Sequence, residues 1–85
     1  MDIPTSERLA TIQQEIRWVE TRKLQYEEML GLFWEHLPAI DPEELAVRMR
    51  RLRDGIRAME ERKQALLREE QGLIVAAAHR APGPQ

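Results

Sequence analysis

The chain has 85 residues and a mass of 10.0 kDa, enough for one small domain. Thirteen basic residues against 15 acidic ones give a formal charge of −2, which argues against a general nucleic-acid coat and against an acidic disordered tail. With no cysteine, disulfides, thiolate metal sites and a thiol nucleophile are excluded together.

The longest apolar run, Leu73–Ala78, is far short of the ~20 residues that span a bilayer. Met1–Glu7 carries neither a basic n-region nor an apolar h-region, so no secretory signal is expected. The expectation is a soluble, cytoplasmic protein with no membrane association.

Prolines 4, 38, 42, 82 and 84 leave residues 5–37 and 43–81 free of proline and rich in good helix formers. A first helix is expected over about 5–36, with its start near Thr5 or Ser6. Pro38 disfavours helical geometry at Leu37 and stops it. A turn over 37–41 follows, where Asp41 caps a second helix and Pro42 takes the first helical position. Glu43 and Glu44 complement the positive helix end, Glu44 is placed for a reciprocal capping contact, and Ile40 and Leu45 form a hydrophobic staple. The second helix is expected over about 42–78, with an earlier end at Gly72 as the alternative, and 79–85 as a frayed tail.

Spacings of three and four run through Leu9, Ile12, Ile16, Val19, Lys23, Tyr26, Leu30, Phe33 and Leu37. A matching run is Leu45, Met49, Leu52, Ile56, Met59, Lys63, Leu66, Glu70, Leu73 and Ala77. Both are heptad seams. Folded back on each other they pair wherever residue numbers sum to 82, as in Leu30–Leu52, Ile16–Leu66 and Leu9–Leu73. The fold point is then Asp41, where capping chemistry independently places the turn. The expected fold is all-α: an antiparallel, coiled-coil-like two-helix hairpin, completed by dimerisation into a four-helix bundle or by a partner. Lys23 lies near Glu60 and Lys63 near Glu20, so their stems cover the seam while their ammonium groups reach those carboxylates.

The seam leaves large apolar residues uncovered. Trp18 and Leu32 share one heptad position, Leu67 and Ile74 another, and Trp34 also lies off the seam. Ala58, Ala65 and Gly72 form a stripe of small residues. A lone hairpin has no layer under which to hide two tryptophans, and large aromatics are enriched at interface hot spots. Trp18, Leu32, Trp34, Leu67 and Ile74 are therefore the candidate protein-interface residues. Gly31, Gly55 and Gly72 are candidate kinks or contact points.

Arg48, Arg50, Arg51, Arg53 and Arg57 crowd one segment against a single acid, Asp54. Arg50, Arg53 and Arg57 share a face and are candidate polyanion-binding residues. The competing expectation is a solvated face neutralised by Glu27, Glu28 and Glu35 on the neighbouring helix. No aromatic is interleaved with the arginines to stack on single strands. Ser6 is the only serine and His36 and His79 the only histidines, so a triad and a metal centre are not expected. No catalytic residue, cofactor or small-molecule substrate is expected.

Residues 38–45, Pro-Ala-Ile-Asp-Pro-Glu-Glu-Leu, resemble the interhelical turn of small all-helical chorismate mutases. The resemblance covers about eight residues; the first helix lacks that family's Arg/Ile-Asp pattern and no third helix follows, so no residue is carried over. The leading expectation is a non-enzymatic protein–protein interaction module: a small adaptor, accessory subunit or co-chaperone acting as a homodimer or in a larger assembly. A dimeric nucleic-acid-associated regulator using Arg48–Arg57 is the alternative, and a chorismate-mutase-type enzyme a distant third.

Overall fold

Asp41 sets the geometry of the whole chain. In the computed structural model, which describes residues 4–80, its carboxylate accepts a 3.0 Å hydrogen bond from the Glu43 N–H, and its carbonyl accepts one from the Leu45 N–H at 2.9 Å. The first bond satisfies a donor at the helix start that has no intrahelical partner, and the second is the first bond of the helix itself. The helix that follows, α2, spans Pro42–Arg80, and the one before it, α1, spans Thr5–Glu35. α1 ends as expected: the His36 N–H donates to the Leu32 carbonyl at 2.8 Å, and the chain leaves helical geometry two residues before Pro38. At the other end, Pro4 precedes α1 without a side-chain cap, and its carbonyl accepts from the Arg8 N–H.

The two helices pack antiparallel as an elongated hairpin. Among the described residues no strand is present. The core is one stripe deep: Ile12, Val19 and Leu66 are buried together, flanked by half-buried Ile16, Met59 and Leu73, with Met49 buried nearer the turn. Each is a seam residue, and each fully buried aliphatic side chain contributes on the order of 1.5–3 kcal/mol. Both seam lysines behave as the register requires. Lys23 Nζ lies 2.8 Å from a Glu60 oxygen, and Lys63 Nζ lies 3.5 Å from a Glu20 oxygen.

Three local expectations are corrected. Glu44 does not reach back to the Asp41 N–H; its carboxylate accepts instead from Arg48 at 2.9 Å, one turn along its own helix. A cation four residues on is a better-placed and stronger partner than a neutral amide. α2 does not end at Gly72 or at Ala78 but continues to Arg80, so His79 and Arg80 belong to the helix rather than to a frayed tail. The remainder of that tail, 81–85, lies outside the described residues.

The three helical glycines have different surroundings. A Cβ on Gly31 or Gly72 would meet nothing within 4 Å, whereas one on Gly55 would lie 3.1 Å from the Tyr26 ring. Gly55 is where an aromatic ring rests against helix backbone. Gly31→Ala and Gly72→Ala should each stabilise the hairpin by about 0.5–1 kcal/mol, the helix-propensity difference. Gly55→Ala should gain less than the other two, because the Tyr26 ring has to give by a few tenths of an ångström to admit the methyl group. Denaturant titration followed by circular dichroism measures all three, and equal effects would refute the close approach as the reason for Gly55.

Candidate interaction faces

Heptad counting along each seam places two rows of residues beside it, and the ion pairs show which rows face each other. Arg8 and Glu15 of α1 and Arg62 and Glu69 of α2 occupy the g positions, and they link across one flank. Glu20 and Glu60 occupy e positions and take the seam lysines on the opposite flank. The remaining b, c, e and g residues can be assigned to a flank from their heptad positions, while the f residues form the outer back of each helix.

The first flank is electrostatically closed at its open end. The Arg8 guanidinium grips Glu69 through two hydrogen bonds, from Nε at 2.7 Å and from Nη2 at 2.8 Å. Arg8 also lies 3.6 Å from Glu15, whose carboxylate accepts from Arg62 at 2.8 Å. This forked geometry is the favourable one for a guanidinium and a carboxylate. Nearer the turn the same flank opens into a groove of about 400 Å³ lined by Tyr26, Met29, Phe33, Arg48, Arg51, Leu52 and Gly55. The missing side chain of Gly55 lets Tyr26 form the floor, and the Arg22 guanidinium stands 5.5 Å from the centre of that ring, within cation–π range. Trp18 and Leu32 border this flank, both exposed, and the small residues Ala58, Ala65 and Gly72 occupy the same heptad position on α2, Ala65 close to the level of Trp18.

The second flank carries Trp34 and Leu24 on α1 and Leu67 and Ile74 on α2, together with Arg50, Arg53 and Arg57. Leu67 is half-buried and the other apolar residues are exposed. Trp18, Leu32, Trp34, Leu67 and Ile74, expected as one second apolar face beside the seam, therefore do not share a face. Trp18 and Trp34 are 16 residues apart, which at 3.6 residues per turn is about 160° around the helix. Trp18 with Leu32 belongs to the groove flank, and Trp34 with Leu67 and Ile74 to the arginine flank.

The expected neutralisation of the arginines by Glu27, Glu28 and Glu35 is also corrected. Among the described residues Arg48 alone of the cluster makes an ion pair, and it does so with Glu44. Arg50, Arg51, Arg53 and Arg57 are exposed without an ion-pair partner within 4 Å, as are Glu27, Glu28 and Glu35. Proximity in register does not suffice, because the f positions of Glu28 and Glu35 point away from the other helix.

Among the described residues no group of three or more histidine, aspartate or glutamate side chains could hold a metal ion. His36 closes α1 at the turn and His79 lies near the far end of α2. Among the described residues no helix is long and apolar enough to cross a membrane. The groove and the Arg8–Glu69–Glu15–Arg62 chain were not foreseen, though the g-position charges contained the signal for the latter. No protein-family model, curated protein or solved structure matches the chain.

The interhelical pairs also set an acid response. The hydrogen bond from Lys23, then that from Gln64, holds the Glu60 carboxyl below its ordinary value of 4.5, and the bonds from Arg8 do the same for Glu69. A depressed carboxylate contributes stability that is present above its unfolded-state value and is lost as pH falls through the lower folded-state value. The melting temperature should therefore hold down to about pH 5 and fall below it, and the fall should be smaller in Glu60→Gln/Glu69→Gln. An identical acid fall in that variant and the parent would show that these two pairs contribute nothing.

Proposed function

We propose that the chain is a non-enzymatic helical-hairpin interaction module, a small adaptor or accessory subunit that works by burying its flanks against other protein surfaces. The observation that carries this reading is the exposure of Trp18 and Trp34, 60% and 63%, on opposite flanks of a hairpin that has no further layer to cover them. Isolated surface apolar residues are ordinary. Here the exposed set is large for so short a chain: Trp18, Met29 and Leu32 lie along one flank and Leu24, Trp34 and Ile74 along the other, spread over the length of each rather than gathered in one patch. Two separate flanks suit a protein that joins two surfaces, as an adaptor does, better than one that closes a single pair. A cytoplasmic setting is part of the proposal and rests on the charged backs of both helices.

Sedimentation velocity over about 1–100 µM protein, alone and with any captured partner, tests the reading. Trp18→Ala and Trp34→Ala should each weaken a distinct association by roughly 30-fold, the effect of truncating a hot-spot aromatic. Association untouched by either change would refute it.

A second reading has one specific observation in its favour: Arg50, Arg53 and Arg57 share a flank, are exposed, and lack ion-pair partners among the described residues. On this reading a dimer presents them to nucleic-acid phosphates. Binding to a labelled DNA duplex should then fall with salt, with a logarithmic slope of about −3 per hairpin, and vanish in Arg53→Glu/Arg57→Glu. No binding at low salt would eliminate it.

A further inference from the structure

The groove near the turn is apolar inside and basic at its rim. Tyr26 and Phe33 lie in it half-buried, with Tyr26 against the bare backbone of Gly55 and Met29 exposed beside them. Arg22 stands over the Tyr26 ring on the α1 edge, and Arg48 and Arg51 line the α2 edge. Glu44 takes Arg48, but neither Arg22 nor Arg51 has a carboxylate within 4 Å among the described residues. Their flank has no other acid to offer. Over residues 18–36 and 44–58 its c and g positions carry three arginines and a single acid, Glu44. The open end of the same flank differs, since Arg8 and Arg62 have Glu15 and Glu69 there. So does the arginine flank, where Glu20, Glu27 and Glu60 stand among the cations.

We infer that this groove is the docking site for an acidic amphipathic helix of another protein. The inference rests on the interaction-module reading and states the chemistry of one partner. Unpaired guanidiniums around an apolar floor select an occupant that is apolar at its centre and carries carboxylates at its margins. Shape selects the helix. A trough between two packed helices, open along one side, accepts a third cylinder, as in helix-in-groove recognition. Tyr26 and Phe33 are seven residues apart, about 10 Å or two turns, so the occupant's apolar side chains recur at spacings of three, four and seven. Arg51 is level with Gly31 in the sum-82 register, about 13 Å along the axis from Arg22 and on the opposite edge. The occupant therefore has a carboxylate on each margin of its apolar stripe, the two about two turns apart. A small carboxylate fits less well, because a site open along one side leaves much of a small ligand in water.

Designed helical peptides of about 20 residues, titrated against the full chain, provide the test. The acidic probe has leucines at three-four spacing bordered by glutamates, and the basic probe has lysine in place of every glutamate. By fluorescence anisotropy the acidic probe should bind with a Kd of about 10–100 µM and the basic one at least about tenfold more weakly. Arg22→Glu/Arg51→Glu removes no ion pair of the hairpin, so helicity and melting temperature should stay near the parent's. That variant should invert the preference and take the basic probe over the acidic one. Arg53→Glu/Arg57→Glu changes the net charge equally but on the other flank. In about 0.15 M salt, where distant charges are screened, it should leave binding of the acidic probe within about twofold of the parent's. A second readout needs no variant: the acidic probe should move the amide signal of Gly55 in a nitrogen–proton correlation spectrum and leave that of Gly31, on the arginine flank, in place.

No binding of the acidic probe at about 1 mM overturns the inference. So does equal binding of the two probes, or a loss in Arg53→Glu/Arg57→Glu as large as that in Arg22→Glu/Arg51→Glu. Phenylbutyrate that saturates the Gly55 shift where the peptide produces none would make this a small-ligand site and overturn it too. Self-association through Arg22 and Arg51 that shuts the peptide out would overturn it in favour of a second copy. All of these outcomes leave the interaction-module reading standing while Trp18→Ala or Trp34→Ala weakens an association; that reading falls when neither does.

Discussion

The register between two heptad seams is the constraint on which everything else depends. Sliding α2 by one heptad along α1 would still set apolar residues against apolar residues, so burial alone does not choose the alignment. The turn chooses it. Asp41 caps α2 at a point that leaves only residues 36–41 to reverse the chain, and a slip of seven residues would require a longer connection. The ion pairs then confirm the choice at widely separated levels, with Lys23 on Glu60 near the middle and Arg8 on Glu69 near the open end. Each is modest by itself at this exposure. Their role is to penalise the wrong alignments, all of which would leave them without partners.

Much of this was legible in the sequence because it is written locally. The Asp-Pro-Glu-Glu start of α2, the stop before Pro38 and the three-four spacing each need only a few neighbouring residues to be read. The pairing of Lys23 with Glu60 followed as soon as the seam was folded at Asp41. Other features depend on direction around the helix, and they were less legible. Grouping Trp18 with Trp34 because both lie off the seam ignored the half-turn between them. Expecting Glu28 and Glu35 to meet the arginines used their level along the hairpin and not the way their side chains point. The groove was invisible for a different reason, since it arises from an absent side chain at Gly55 and an aromatic ring drawn into the space.

The separation of the flanks bears on function more than any single residue does. A hairpin two helices wide has a front and a back at every level, and this one gives them different chemistry. One side has the charges of its open end mutually satisfied and, nearer the turn, a hollow lined by Tyr26 and Phe33. The other carries Trp34 with Arg50, Arg53 and Arg57, and its Glu20 and Glu60 take the seam lysines. On the proposed reading the two flanks would engage separate surfaces, because no side chain serves both.

The clasp of Arg8 on Glu69 has a further consequence for how the hairpin forms. Contacts in this topology nest, from the shortest loops beside Asp41 to the longest at the open end, where the two clasped residues are 61 positions apart. Loop-closure entropy grows only slowly with length, so zipping outward from the turn costs little at each added layer. The same nesting orders the opening. Layers near the turn are held by connectivity as well as by packing, whereas those at the open end are held by packing and the clasp alone. Separation of the arms at the open end therefore requires both the clasp and the buried Ile12–Val19–Leu66 cluster behind it to give way. In this protein the end farthest from Asp41 is the hinge's free edge, and Asp41 itself is the pin.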